Sequence, residues 1–262
     1  MKIVACIKQV PGTNDCTIDP ETKRLKREGV EAVLNPFDLY ALEQALLLRE
    51  AGGGEVIALS MGPPQAEASL REALSCGADR AVLLCDRAFA GSDTWATSYA
   101  LALAIRCIGG VDLVLCGKQA VDGDTAQVGP GIAAHLDWPQ ATYVSAMPHV
   151  GQRQITVKRM NEDGHEVVEI ALPAVITVVK DINTPRVPTL RACLAARKAP
   201  VTVWTAEQIG ADPACLGLEG SPTRVVKTAP PPGRGKKTVP ITGSAATCAA
   251  RIVHELRMNS LV

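Results

Sequence analysis

Aromatic side chains are scarce: the chain has three tryptophans, three tyrosines and two phenylalanines among 262 residues. A surface that stacks on successive bases of single-stranded nucleic acid has too little material here. An excess of either charge is also missing, since 27 lysines and arginines balance 27 aspartates and glutamates. With no net field to attract a polyanion or an anionic membrane, recognition must rest on local sites, and nucleic acid is not an expected partner. Long apolar runs are absent too. The opening stretch, Met1-Lys2-Ile3-Val4-Ala5-Cys6-Ile7 followed by Lys8 and Gln9, is too short for a signal peptide or a membrane span, so a cytoplasmic location is expected. The nine cysteines include no C-x-x-C pair, and their number is odd. Zinc, iron–sulfur and disulfide frameworks need clustered spacing, so the cysteines are read as thiols and no metal site is expected. Cys6, Cys85 and Cys116 lie in or at the end of apolar runs, where a cysteine acts as a small hydrophobe. His135, His149, His165 and His254 are scattered, with no H-x-x-x-H pair and no nucleophile signature nearby. Catalysis by side chains is therefore not indicated, and redox chemistry would have to come from a bound cofactor.

What is present is an alternation. Apolar runs at 3–7, 56–60, 81–85 and 113–116 lack an in–out pattern, as strands covered on both faces do, and amphipathic stretches separate them. That is the signature of an α/β fold with a parallel sheet. Asn35-Pro36 reads as an N-cap and first helical residue, and Phe37, Tyr40, Ala41, Ala45 and Leu48 follow at helical spacing. A second helix is expected over 65–75, ended by Gly77, and a third over 93–108, capped by Ser92. Beyond Trp138 the runs 142–147, 155–160 and 167–172 are joined by turns such as Asn161-Glu162-Asp163-Gly164, which predicts an antiparallel extension. Residues 180–200, punctuated by Pro185, Pro188 and Pro200, read as an exposed loop with a short helix over 189–196. Residues 221–240 are rich in proline, glycine and cations and read as a linker. Residues 245–258 form one amphipathic helix in need of a surface.

In an open parallel sheet, ligands collect beyond the carboxyl ends of the strands. The loops there include Lys8-Gln9-Val10-Pro11-Gly12, Met61-Gly62-Pro63-Pro64 and residues 86–91, and the richest is 117–129. Its glycines allow close backbone approach, and a helix entered near Thr125 or Ala126 would present unpaired N–H groups, as phosphate sites do. Asp122 and Asp124 would repel a diphosphate unless they turn away to build the loop. Thr125 and Gln127 are then the neutral side chains placed to bond phosphate or ribitol oxygens, with Lys118 adding positive charge. A capped turn with no ligand fits the same residues. No G-x-G-x-x-G follows the first run, which disfavours an ordinary dinucleotide fingerprint. Asp122-Gly123-Asp124-Thr125 also differs in spacing from the D-x-D-x-T of dehalogenase-like phosphatases, whose first aspartate directly ends a strand.

Six blocks, in order, carry a resemblance: Cys6-Ile7-Lys8-Gln9-Val10-Pro11, Asn35-Pro36-Phe37-Asp38, Met61-Gly62-Pro63-Pro64, Gly77-Ala78-Asp79-Arg80, Ala90-Gly91-Ser92-Asp93-Thr94 and residues 117–129. Nearly end to end, the chain resembles the electron transfer flavoprotein beta-subunit family, in the bifurcating and Fix-type subgroup. The resemblance implies an α/β domain like the adenine nucleotide α-hydrolases, over residues 1–220, with a recognition loop at about 181–198. Residues 221–262 would be a linker and arm packing on an alpha subunit that carries its own FAD. It implies nucleotide contacts at Cys6, Lys8, Asn35, Met61, Gly62, Gly117, Lys118, Gln119, Asp122, Gly123, Asp124, Thr125, Ala126, Gln127, Val128 and Gly129, with Asn35 and main-chain groups near Cys6 and Met61 at the adenine. Gly123 adds no charge where a second phosphate must lie, and AMP-binding relatives tend to have an acidic residue there. The expected cofactor is therefore FAD, with AMP as the alternative and NADH as electron donor. Leu190 is the expected docking residue for an acyl-CoA or related dehydrogenase, and ferredoxin or flavodoxin the expected second acceptor. Two other readings stand beside bifurcation: a simple electron carrier with structural AMP, and a stand-alone nucleotide-binding regulator.

Overall fold

The structure is a computed structural model that describes residues 1–12, 32–226 and 239–262. Cys16 and the 227–238 part of the expected linker lie outside these residues. The chain begins with β1 (Lys2–Cys6), whose Ile3, Val4 and Ala5 are fully buried, as a strand covered on both faces requires. A short antiparallel pair follows, β2 (Gln9–Pro11) with β3 (Ala32–Leu34). Then come α1 (Pro36–Gly52), β4 (Glu55–Met61), α2 (Glu67–Cys76) and β5 (Arg80–Leu84). Gly77 closes α2 with φ of 120°, and its N–H bonds back to Ala73 and Leu74, as the sequence indicated.

Next are α3 (Thr94–Ile108), β6 (Leu113–Gly117) and α4 (Val128–Leu136). The cap of α3 differs from expectation. Asp93, not Ser92, accepts the Trp95 and Ala96 amides at 3.0 and 3.1 Å. Ser92 is drawn away, donating to the Phe89 carbonyl and accepting the Gly217 amide. Beyond α4 lie β7 (Gln140–Val150), β8 (Gln154–Asn161), β9 (Gly164–Ala171), β10 (Ala174–Val178), α5 (Leu190–Ala196), β11 (Thr202–Trp204) and α6 (Ala245–Met258). Asn161 faces Gly164 across a two-residue turn, and the β7–β8 and β8–β9 pairings are antiparallel.

The described strands of the main sheet run in the order β11-β5-β4-β1-β6-β10-β7-β8-β9. This is the expected α/β architecture with its antiparallel extension. The sequence reading missed β10, which joins the two parts by pairing in parallel with both β6 and β7. All five of its residues are buried.

Helices cover both faces of the sheet. Leu42, Leu46 and Leu70 of α1 and α2 pack with Ile3, Ala58 and Leu115, while Ala100, Ile105 and Ile132 of α3 and α4 pack with Val4, Leu59 and Val114. Each such leucine or isoleucine gains about 2 kcal/mol over leaving it exposed. The described chain forms two units, Met1–Lys227 and Thr228–Val262. None of the described helices is long and apolar enough to cross a membrane.

Candidate nucleotide site

The order of the sheet locates the site. From β1 the chain moves outward through β4 to β5, then returns to lay β6 on the other side of β1. Connections leaving β1 and β6 in opposite directions open a crevice at their carboxyl ends. Cys6 and Cys116, last partners in the β1–β6 ladder, floor it. Their side chains and that of Met61 lie with the α3–α4 layer. The neighbouring Cys6 sulfur and burial push the Cys116 thiol well above its usual range, so it stays protonated at neutral pH.

Above this floor the loop from β6 to α4 is held by three sets of bonds. Asn35 is fully buried, and its amide donates to the Gln119 carbonyl at 2.9 Å while its oxygen accepts the Val121 amide at 3.1 Å. It occupies the N-cap position of α1 but makes no side-chain cap bond, contrary to the sequence reading, because the loop takes both ends of its amide. Lys8 reaches from the β1 exit to Asp122, with Nζ to carboxylate distances of 2.7 and 2.9 Å. Gln119 donates to Asp124 at 2.6 Å. Both aspartates are thus engaged within the protein, and Asp122 is neutralised by Lys8.

The Lys118 ammonium lies 4.9 Å from the Phe37 ring centroid and 5.9 Å from that of Tyr143, on aromatic faces.

The helix begins later than expected, at Val128 rather than near Thr125. Asp124 and Ala126 hold left-handed φ values of 50° and 54°, which no continuing right-handed helix contains. An alanine there costs about 1 kcal/mol, and such strain collects at loops that serve a purpose. Gln127 stands at the N-cap, yet its side chain does not cap the helix; its oxygen accepts the Thr94 hydroxyl of α3 at 2.9 Å. The start of α3 is thus capped and that of α4 has no side-chain cap. Pro130 carries no N–H and the Gly131 amide bonds the Gln127 carbonyl, so Val128 and Gly129 hold the remaining donors of the first turn.

Gly129 has to be glycine, since a Cβ would collide with the Thr177 methyl of β10. Gly123 has no such reason: its φ is ordinary and a Cβ would meet no atom within 4 Å. Space left open at an exposed glycine, beside a neutralised aspartate and an uncapped helix start, suits an anionic ligand.

A model of the electron transfer flavoprotein domain matches residues 22–209. The chain belongs to the electron transfer flavoprotein family. It is 47% identical over 263 residues to the electron transfer flavoprotein subunit beta of Thermoanaerobacterium thermosaccharolyticum, with 100% of both chains covered. It is 46% identical over 264 residues, again with 100% of both chains covered, to the caffeyl-CoA reductase-Etf complex subunit CarD of Acetobacterium woodii. Protein FixA of Azorhizobium caulinodans is 47% identical over 263 residues, covering 98% of this chain and 94% of that one. Among electron transfer flavoproteins this chain is therefore a beta subunit, related to Fix-type and reductase-complex members.

Of the residues the sequence singled out in this flavoprotein subunit, Cys6, Lys8, Asn35, Met61 and the 117–129 loop converge on the crevice. Leu190 lies in the 181–198 segment, at the start of α5. Arg186 fixes the base of that segment to α1 through Glu43 at 2.8 Å and Glu50 at 2.6 Å, and Leu190 beyond it is 77% exposed. One site residue escaped the sequence reading. Asp38, 6% exposed, accepts the Lys8 amide at 2.8 Å and the Gly117 amide at 3.2 Å, bridging the β1 and β6 exits. Burial raises its pKa to about 7 against the lowering effects of the Asn35 side chain, both amides and Lys8. The only available signal was a carboxylate at the third position of an otherwise apolar helix start.

Proposed function

We propose that this crevice binds the adenine nucleotide portion of an FAD and that the chain works as the beta half of a heterodimer with an electron transfer flavoprotein alpha subunit. An FAD held here would supply the redox chemistry, hydride acceptance from NADH and one-electron transfer toward the alpha-subunit flavin and a dehydrogenase and toward ferredoxin or flavodoxin. The chain's own residues bind and orient. The Val128 and Gly129 amides would hold the diphosphate and Thr125 and Gln127 its neutral oxygens, while Lys8 cancels the Asp122 charge that would repel it. Asn35 acts through the loop by shaping its main chain. Cys6 and Met61 supply apolar contact from the strand ends.

The observation that carries FAD over AMP is Gly123, a glycine that neither backbone nor packing requires, in a loop whose carboxylates are already bonded. The caffeyl-CoA reductase relative is by its name a subunit of a reductase-Etf complex, which supports the reading of this chain as one part of a complex. Leu190 and its neighbours Val187 and Leu194, all exposed, form the docking tip for an acyl-CoA or related dehydrogenase. Among the described residues of its own unit none is buried with Ile252 and Val253 of α6, which supports its reading as the arm that grips the alpha subunit. The complex works in the cytoplasm.

The deciding measurement is extraction of cofactors from the co-expressed heterodimer. Two FAD per complex are expected, with bleaching of flavin absorbance on titration with NADH. One FAD and one AMP would instead make this a non-bifurcating carrier.

A further inference from the structure

Beyond the last β1–β6 pair, Cys6 with Cys116, the two strands part, and the chain leaves one toward β2 and the other into the 118–127 loop. Whatever enters the crevice enters at that parting. Asp38 is the side chain that spans it, one carboxylate oxygen accepting the Lys8 amide and the other the Gly117 amide. Gly117 is shaped for this contact, since a Cβ there would strike Asp38 Oδ1 and the Phe37 main chain. Three residues earlier on the same segment, Asn35 binds Gln119 and Val121 of the adjoining loop. The Asn35-Pro36-Phe37-Asp38 turn is therefore a two-part clamp: Asn35 sets the shape of one lip and Asp38 sets the gap between both.

The chemistry of the second part is demanding. Two N–H donors converge on one side chain, and an ionised carboxylate accepts from both most strongly. Protonation weakens acceptance at the hydroxyl oxygen, and an asparagine in its place sets an NH2 donor against one of the two amides. Lys8, the nearest cation, is already committed to Asp122. The other charged or titratable groups around Asp38 are the thiols of Cys6 and Cys116 from the strand ends and Lys118, whose ammonium sits over Phe37. A buried carboxylate with no counter-ion of its own is costly to keep charged.

We propose that Asp38 is the positioning residue of the nucleotide crevice, its ionised carboxylate holding the β1 and β6 exits at the spacing the nucleotide requires, so that nucleotide affinity follows the charge on this one group. This rests on the nucleotide reading given above. Because burial raises the carboxyl pKa to about 7, the charge changes within the neutral range. Affinity is then constant above about pH 7.5 and falls as pH drops, approaching tenfold per pH unit below the carboxyl's pKa.

The test uses the heterodimer with its alpha-subunit site filled and this subunit stripped of nucleotide, titrated with FAD from about pH 5.5 to 8.5. FAD is preferred to AMP because a phosphate monoester itself titrates near about pH 6, whereas a diphosphate diester does not. Wild type should lose about fivefold in FAD affinity between about pH 7 and 6. D38N should bind at least about tenfold more weakly at high pH and lose the pH dependence. Equal slopes in wild type and D38N, or a flat wild-type profile, overturn the proposal; the wild-type profile decides alone if D38N does not accumulate. Wild type that takes up neither FAD nor AMP at any pH overturns the nucleotide reading and this inference with it.

Discussion

Ionised Asp38 costs the fold stability. In the unfolded chain its carboxyl keeps its ordinary acidity, while in the fold burial raises its pKa to about 7, so between those values the folded protein holds a proton that the unfolded chain has released. Its stabilising contribution is complete below the unfolded pKa and is lost as pH rises through the folded one. Between about pH 5.5 and 7.5 this amounts to about 2 kcal/mol. Urea denaturation across that range should show wild type losing this amount relative to D38N, whose side chain does not titrate. The charged form that suits the crevice is thus the form the fold tolerates least, a trade often found at binding sites. Lys8 gives a complementary test. Its pair with Asp122 is half-exposed on the lysine side, so K8M should change stability by less than about 1 kcal/mol. FAD affinity should nevertheless fall about tenfold, because Asp122 is left unneutralised beside the diphosphate. Unchanged affinity on equilibrium titration would place the phosphates away from Asp122.

At the scale of elements, α4 depends on close approach to the sheet. Gly129 lies against the Thr177 methyl, and G129A should destabilise the protein by about 1 to 3 kcal/mol through overpacking, read from the denaturation midpoint. It should also weaken FAD binding, because the first turn carrying the donors must shift. The helices and strands whose patterns repeat over many residues were legible in sequence: α1, α2 and α3 from their spacing, β1, β4, β5 and β6 from their apolar runs. β10 was missed although Ala174-Val175-Ile176-Thr177-Val178 is a continuous, mostly β-branched run, because only Pro173 parts it from the 167–172 run and it was not separated from it. The later start of α4 had no signature, since left-handed Asp124 and Ala126 are positions that tertiary contacts impose on ordinary residues. The choice between Ser92 and Asp93 as cap of α3 likewise turned on Gly217, which claims the Ser92 hydroxyl from far along the chain.

At the scale of the whole molecule, the described part of Met1–Lys227 is built on one large sheet, and the proposed nucleotide site lies at the carboxyl ends of its parallel strands. If Leu190 is the docking tip, L190A should slow electron transfer to the dehydrogenase severalfold while leaving stability within about 0.5 kcal/mol, since a residue 77% exposed contributes little to the core. Stopped-flow transfer rates beside a thermal melt would separate the two effects. The layers of this fold and the identity of its richest loop follow from local patterns, because burial on both faces and helix periodicity are written residue by residue. The site itself is a matter of long-range register. Asp38 meets Lys8 across 30 residues and Gly117 across 79, and Asn35 meets Val121 across 86. Which donor faces which acceptor there depends on the return of β6 to the far side of β1, a choice made by the packing of the entire sheet and by no segment alone.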